Sequence, residues 1–231
     1  MKKYHHEPHG AVGETLRDFV YGFNDGLITT LAIVSALSGA SVGNLLIIFA
    51  GIANVLADGI SMSLGGYISS KSQVEVYKNA LRQERDEVKN IPDMERQEIR
   101  NIYRKKGFKG KELERIVKVI TSNKERWVDV MMKEELELTE SKFINPVKVA
   151  AVVFAGFLLA GFIPLVPYLF FDIQTSLQYA VTVSFISLFV LGSLRSIFTK
   201  RNWFKSGLEM LAVGMLAAAA AYFIGSLVKL L

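Results

Sequence analysis

GIANVLADGISMSLGGYISSKSQVEVYKNALRQERDEVKNI, residues 51–91, is the stretch on which the fold turns. Residues 51–70 are apolar enough to sit in a bilayer. Residues 71–91 are charged, with a row of apolar side chains at Val74, Tyr77, Leu81, Val88 and Ile91. Those spacings of three and four have the period of a helix, and no proline or strong cap separates the halves. The reading is one continuous helix of roughly 40 residues and about 60 Å, at 1.5 Å per residue, that leaves the membrane and enters water. In the membrane half, Asn54, Asp58 and Met62 recur every four residues and share a face. In the aqueous half, Glu84 takes the place in the series 74, 77, 81, 84, 88 where a hydrophobe is expected. A carboxylate on a buried seam is costly unless something pairs with it, and a metal ion is one such partner.

Composition divides the chain the same way. It has 231 residues, is 51% hydrophobic and carries a formal charge of +5. Of its 27 Lys and Arg, 18 fall within residues 71–142, as do 15 of its 22 acids. That pattern predicts a multi-pass membrane protein with one charged aqueous insert, not a basic soluble protein that binds nucleic acid. Without cysteine, disulfides, zinc thiolate sites and thiol catalysis are excluded. No cleavable signal pattern is present at the N-terminus, so the first span is expected to serve as its own insertion signal.

In order, residues 1–17 form a polar segment holding His5, His6 and His9. It reads as a histidine-rich terminus rather than a metal site. Residues 18–70 carry the first two spans. Asp18 opens the first, which runs to about Ala40. Asn24 and Asp25 lie about 10 Å further along, and an ionisable group at that depth is a functional residue by default. Ser61, Gly65 and Ser69, four apart, allow close helix packing on the second span.

Residues 71–145 read as a three-helix insert: the extension ending at Pro92, a helix capped by Asp93 and closed by Gly107, and one helix beginning after Gly110. The last has the seam Val117, Ile120, Val128, Met131, Glu135, Leu138, again with a carboxylate in an apolar row. The three helices offer Glu84 with Glu87, Glu95 with Glu98, and Met131 and Met132 with Glu135, each set converging at spacings of three or four. Carboxylates suit hard ions and thioethers soft ones. Glu plus Met without Cys or His therefore points to a borderline divalent ion, Fe(II) first and Mn(II) or Zn(II) after it.

Residues 146–231 supply three more spans: Val147 to about Phe171, which Pro164 and Pro167 should kink or end; Ser176 to Ser193; and Gly207 to Val228. Arg195, Lys200, Arg201 and Lys205 in the last loop place it in the cytoplasm, with the insert and the N-terminus. Five is an odd number of spans, so a path across the protein most simply lies on a two-fold axis between protomers.

At DFVYGFNDGLITTLAIVSALSGA, GISMSLGGYISSKSQ, QERDEVKNIPDMERQE, WVDVMMKEELEL and AGFIPLVPY the sequence resembles the vacuolar iron transporter family, over essentially the whole chain from Arg17. The resemblance implies an all-α homodimer of five-span subunits that moves ferrous iron out of the cytosol in exchange for protons, without a prosthetic group. It implies a cytosolic three-helix metal-binding domain between the second and third spans, with ligands at Glu84, Glu87, Glu95, Glu98, Met131, Met132 and Glu135. It further implies a translocation path lined by Asp18, Asp25 and Met62, in the cell membrane of a prokaryote or the vacuolar membrane of a eukaryote. One departure stands out: the family usually has glutamate where this chain has Asn54. An amide cannot take up and release a proton, so either the coupling differs or Asp58, one turn on, supplies the carboxylate; the second is preferred.

Two other classes compete. A di-iron oxidase would use Glu-x-x-His motifs, and no histidine follows His9. A membrane-anchored sensor or scaffold would bind metal without moving it, but has no need of acids such as Asp25 and Asp58 in lipid.

Overall fold

The computed structural model describes residues 9–139 and 145–227. His5 and His6 lie outside the described residues, as does the side chain of His9. Among the described residues all regular structure is helical: α1 (His9–Gly39), α2 (Asn44–Asn90), α3 (Pro92–Lys105), α4 (Gly110–Thr121), α5 (Lys124–Glu134), α6 (Pro146–Gly161), a 3-10 helix (Ile163–Leu169), α7 (Ile173–Thr199) and α8 (Trp203–Leu227). The chain divides into two compact units, one made by the residues up to Ile68 and from Asn145 onward, the other by Ser69 to Ile144. Helix α2, 47 residues long, is uninterrupted through both.

Among the described residues five helical segments, one of them running on from the first unit into the second, are long and apolar enough to cross a membrane: Gly13–Gly39, Asn44–Asn90, Pro146–Leu169, Ile173–Ser196 and Trp203–Leu227. Helix α1 is the centre and packs on α6, α7 and α8. Its contact with α6 is backbone to backbone, since a Cβ at Gly22 or Gly26 would collide with the carbonyl oxygens of Val153 and Phe157. Small residues permit this approach, which apolar solvent does not drive by itself. The third span breaks where Pro164 and Pro167 deny it helical donors; α6 ends at Gly161 and the chain continues as the 3-10 helix.

Helix α2 buries one face of its membrane half. Ile47 and Val55 join Leu31, Val34 and Leu165 in an apolar cluster, and Ser63 Oγ donates to the Ala150 carbonyl at 3.0 Å. Its opposite face, Leu45, Phe49, Leu56, Ile60, Leu64 and Ile68, is exposed. Ser61, Gly65 and Ser69 are exposed too, and a Cβ at Gly65 would meet nothing within 4 Å. The close packing expected of these small residues is therefore not made among the described residues, because the packed face runs through Gly51, Val55 and Gly59 instead.

The second unit closes around Val88, Ile99, Leu113, Val117, Ile120, Trp127, Val128, Met131 and Met132. Two expectations are corrected here. The single helix expected after Gly110 is two, α4 and α5, so the insert carries four helical segments rather than three. Asn123 makes the break by capping α5, its Oδ1 accepting from the Arg126 amide at 2.8 Å. Asp93 does not cap α3 either. Pro92, with its preset φ and missing N–H, takes the first helical position, which leaves Ile91 at the cap and Asp93 in the first turn, paired with Arg96 at 2.7 Å. Gly107, at φ +103°, ends α3 as expected.

Candidate metal centre

Helices α2 and α3 each turn acids inward. Glu84, in the last two turns of α2, is 5% exposed, and Glu95, in the first turn of α3, is 2% exposed. Each has a buried Oε2 with no hydrogen-bond partner. Glu87 joins them, half-buried, and one oxygen from each of the three lies within 4.8 Å of the others. Oxygens bound to one ion at about 2.1 Å are at most about 4.2 Å apart, so a few tenths of an ångström of side-chain movement closes the set.

The charges acting on this group are all acidic. Burial first, then Glu135, Glu87 and Glu98, push the Glu84 carboxyl up to about 7. Burial, then Glu98, Glu84, Glu87 and Glu135, raise Glu95 to about 7 as well. Glu135, at the C-terminal cap of α5, is raised by partial burial and then by Glu98 and Glu87. Met131 and Met132 are both buried, in the cluster that includes Val88 and Ile99, four residues beyond Glu84 and Glu95. The fold thus brings the five candidate acids of the insert within electrostatic reach of one another, and packs the two methionines on the apolar residues one turn beyond Glu84 and Glu95. Carboxyls balanced near neutrality and lacking a cationic side chain can exchange their protons for a divalent cation.

The candidate path residues belong to the other unit. Asp18 is buried and held by Arg17, whose Nη2 donates to Oδ1 at 3.0 Å and Nε at 3.2 Å. Asp25 is half-buried two turns on, and Asp58 of α2 lies close enough to act on it electrostatically. Asn54, Asp58 and Met62 are all half-buried, on the flank between the packed and exposed faces of α2, and the Asn54 Nδ2 is buried without a partner.

Several neighbours escaped the sequence reading. Arg17, the partner of Asp18, is its immediate neighbour in the chain, and adjacent helical residues do not ordinarily face each other. Trp127 fills the core next to the methionines under the guanidinium of Arg96, 5.4 Å from its ring centroid. Its cue was the WVDVMM run, in which Trp127 and Met131 are four apart.

The profile of the VIT family matches residues 16–226. The chain is 37% identical over 219 residues to a vacuolar iron transporter of Centaurea cyanus, covering 94% of this chain and 89% of that one. It is 32% identical over 227 residues to vacuolar iron transporter 1 of Arabidopsis thaliana, covering 98% and 91%. To the vacuolar iron transporter of Plasmodium falciparum it is 32% identical over 235 residues, covering 97% and 86%. With a match along nearly its whole length and five helices able to span a bilayer, the chain is a multi-pass membrane protein and belongs to the VIT family.

Proposed function

We propose that this chain exports Fe(II) from the cytosol in exchange for protons, with Mn(II) as a second cargo, and that it works as a homodimer. The carrying observation is the pair of buried, unpartnered carboxylate oxygens of Glu84 and Glu95 with Glu87 beside them. Such a group is unstable when ionised and empty, and a divalent ion relieves it. The names of the relatives favour iron as that ion. The Met131 and Met132 thioethers favour it over Mg(II) or Ca(II), with Zn(II) a further candidate. The chain is a transporter rather than an enzyme.

In this account the Glu/Met cluster, with Glu98 and Glu135, takes Fe(II) from the cytosol and raises its concentration at the pore mouth. The ion then passes to Asp25 and Met62. Protons from the far side bind Asp25 and Asp58 and release it. Asn54 cannot titrate, so Asp58 carries the proton at that level of α2. Asp18 stands at the cytosolic end with the N-terminus. A second copy completes the path, since Asn54, Asp58 and Met62 flank a face of α2 that this chain leaves open. The host membrane is vacuolar in a eukaryote and the cell membrane in a prokaryote.

The test is metal uptake into sealed vesicles containing the purified chain, offered Fe(II), Mn(II), Zn(II) and Ca(II) under anaerobic conditions. Fe(II) is expected to enter fastest, and Asp25→Ala is expected to abolish entry while the protein remains folded. Undiminished Fe(II) entry in that variant removes Asp25 from the path.

A further inference from the structure

The start of α1, the end of α7 and the start of α8 enclose a crevice of about 490 Å³. Its walls are mainly apolar, supplied by Leu16 and Val20 of α1 and by Met210 and Val213 of α8. Its polar groups are Arg17, Tyr21, Asn24, Arg195 and Glu209. Arg17 spends two of its five donors on Asp18 and keeps a side chain 73% exposed. Arg195 reaches Glu209 at 3.4 Å.

Two observations say what fits. The first is charge: Arg17, Arg195, Lys200, Arg201 and Lys205 gather at these helix ends against Glu14, Asp18 and Glu209, five cations to three acids and a surplus of two. The second is depth. Trp203, exposed at the start of α8, is a residue of the kind that anchors a span at the headgroup layer. The arginines therefore stand at headgroup level, and the apolar walls lead from there toward the acyl region. A cationic rim over an apolar cleft matches a ligand with an anionic phosphate and a hydrocarbon chain.

We propose that this crevice binds one anionic phospholipid, its phosphate between Arg17 and Arg195 and an acyl chain along Leu16, Val20, Met210 and Val213. Bound there, the lipid ties α1 to the ends of α7 and α8.

The test is native mass spectrometry of the full chain in detergent, mixed with equal phosphatidylglycerol and phosphatidylcholine. One phosphatidylglycerol per chain is expected to be retained with about tenfold preference or more, and the Arg17→Gln/Arg195→Gln double variant to lose most of that preference. Gly13→Leu is a second probe. An added Cβ there meets nothing within 4 Å, so the variant fills the crevice without disturbing the packing, and it is expected to lower retention of the lipid. Equal retention of both lipids by the wild type, or a preference unchanged in both variants, overturns the proposal. Displacement of the bound lipid by millimolar inorganic phosphate alone reassigns the arginines to a free anion and also overturns it. Retention of a second copy in place of lipid makes the crevice a protein interface and does the same.

Discussion

At the residue scale the decisive feature is that Glu84 and Glu95 are buried acids and that the charges shifting them are those of other acids. Both are pushed from 4.5 to about 7, so the folded metal-free chain binds protons that the unfolded chain has already released. Stability contributed by these protons is full below about pH 4.5 and is lost as pH rises through about 7. At 1.36 kcal/mol per unit, one such carboxyl is worth on the order of 3 kcal/mol. The metal-free chain is thus expected to melt at a lower temperature at pH 8 than at pH 5.5, with Glu84→Gln flattening the slope; a pH-independent melting temperature contradicts this. The same protons must leave when metal binds. Fe(II) affinity is expected to fall about tenfold or more between pH 7.5 and 5.5, with protons released on binding, measurable by calorimetry in buffers of different ionisation heat. Affinity that holds constant over that range means the ion does not displace the Glu84 and Glu95 protons.

At the scale of elements, the long helix α2 was legible because two different patterns, an apolar run and a three–four repeat, met at residues 70 and 71 without punctuation. The inward-turned acid of α2 was legible because Glu84 interrupts an apolar series. The break between α4 and α5 was not. Ile120 and Val128 are eight apart, a helical spacing, so the apolar rhythm continues across Ser122 and Asn123 and hides the turn. Asn123 was its only local cue, and Asn123→Ala is expected to cost about 1 kcal/mol in chemical denaturation of the chain. The close contact of α1 with α6 was equally hidden, since Gly22 and Gly26 gain meaning only beside Val153 and Phe157. Gly26→Leu is expected to prevent recovery of a monodisperse protein in detergent, because the obstacle is backbone that cannot move aside. Normal recovery, with normal thermal stability, means α1 and α6 sit further apart.

At the scale of the whole molecule, α2 leaves exposed both an apolar face and the small residues Ser61, Gly65 and Ser69, with Met62 next to them. In the proposed homodimer this is where the second copy closes the path. A Cβ added at Gly65 meets nothing within 4 Å among the described residues, so Gly65→Leu tests assembly separately from folding. It is expected to shift the mass measured by light scattering toward a single chain and to slow Fe(II) entry. A dimer of undiminished stability places the interface elsewhere.

The most direct measurement of the central claim is simultaneous recording of Fe(II) and proton movement across vesicles holding the wild-type chain and the Asp58→Asn variant. The account gives Fe(II) entry accompanied by proton movement in the opposite direction, with both lost in Asp58→Asn, where two amides one turn apart leave that level of α2 without a titrating group. Fe(II) entry at the wild-type rate with no proton movement contradicts it, and makes the chain a uniporter whose aspartates guide the ion without exchanging it.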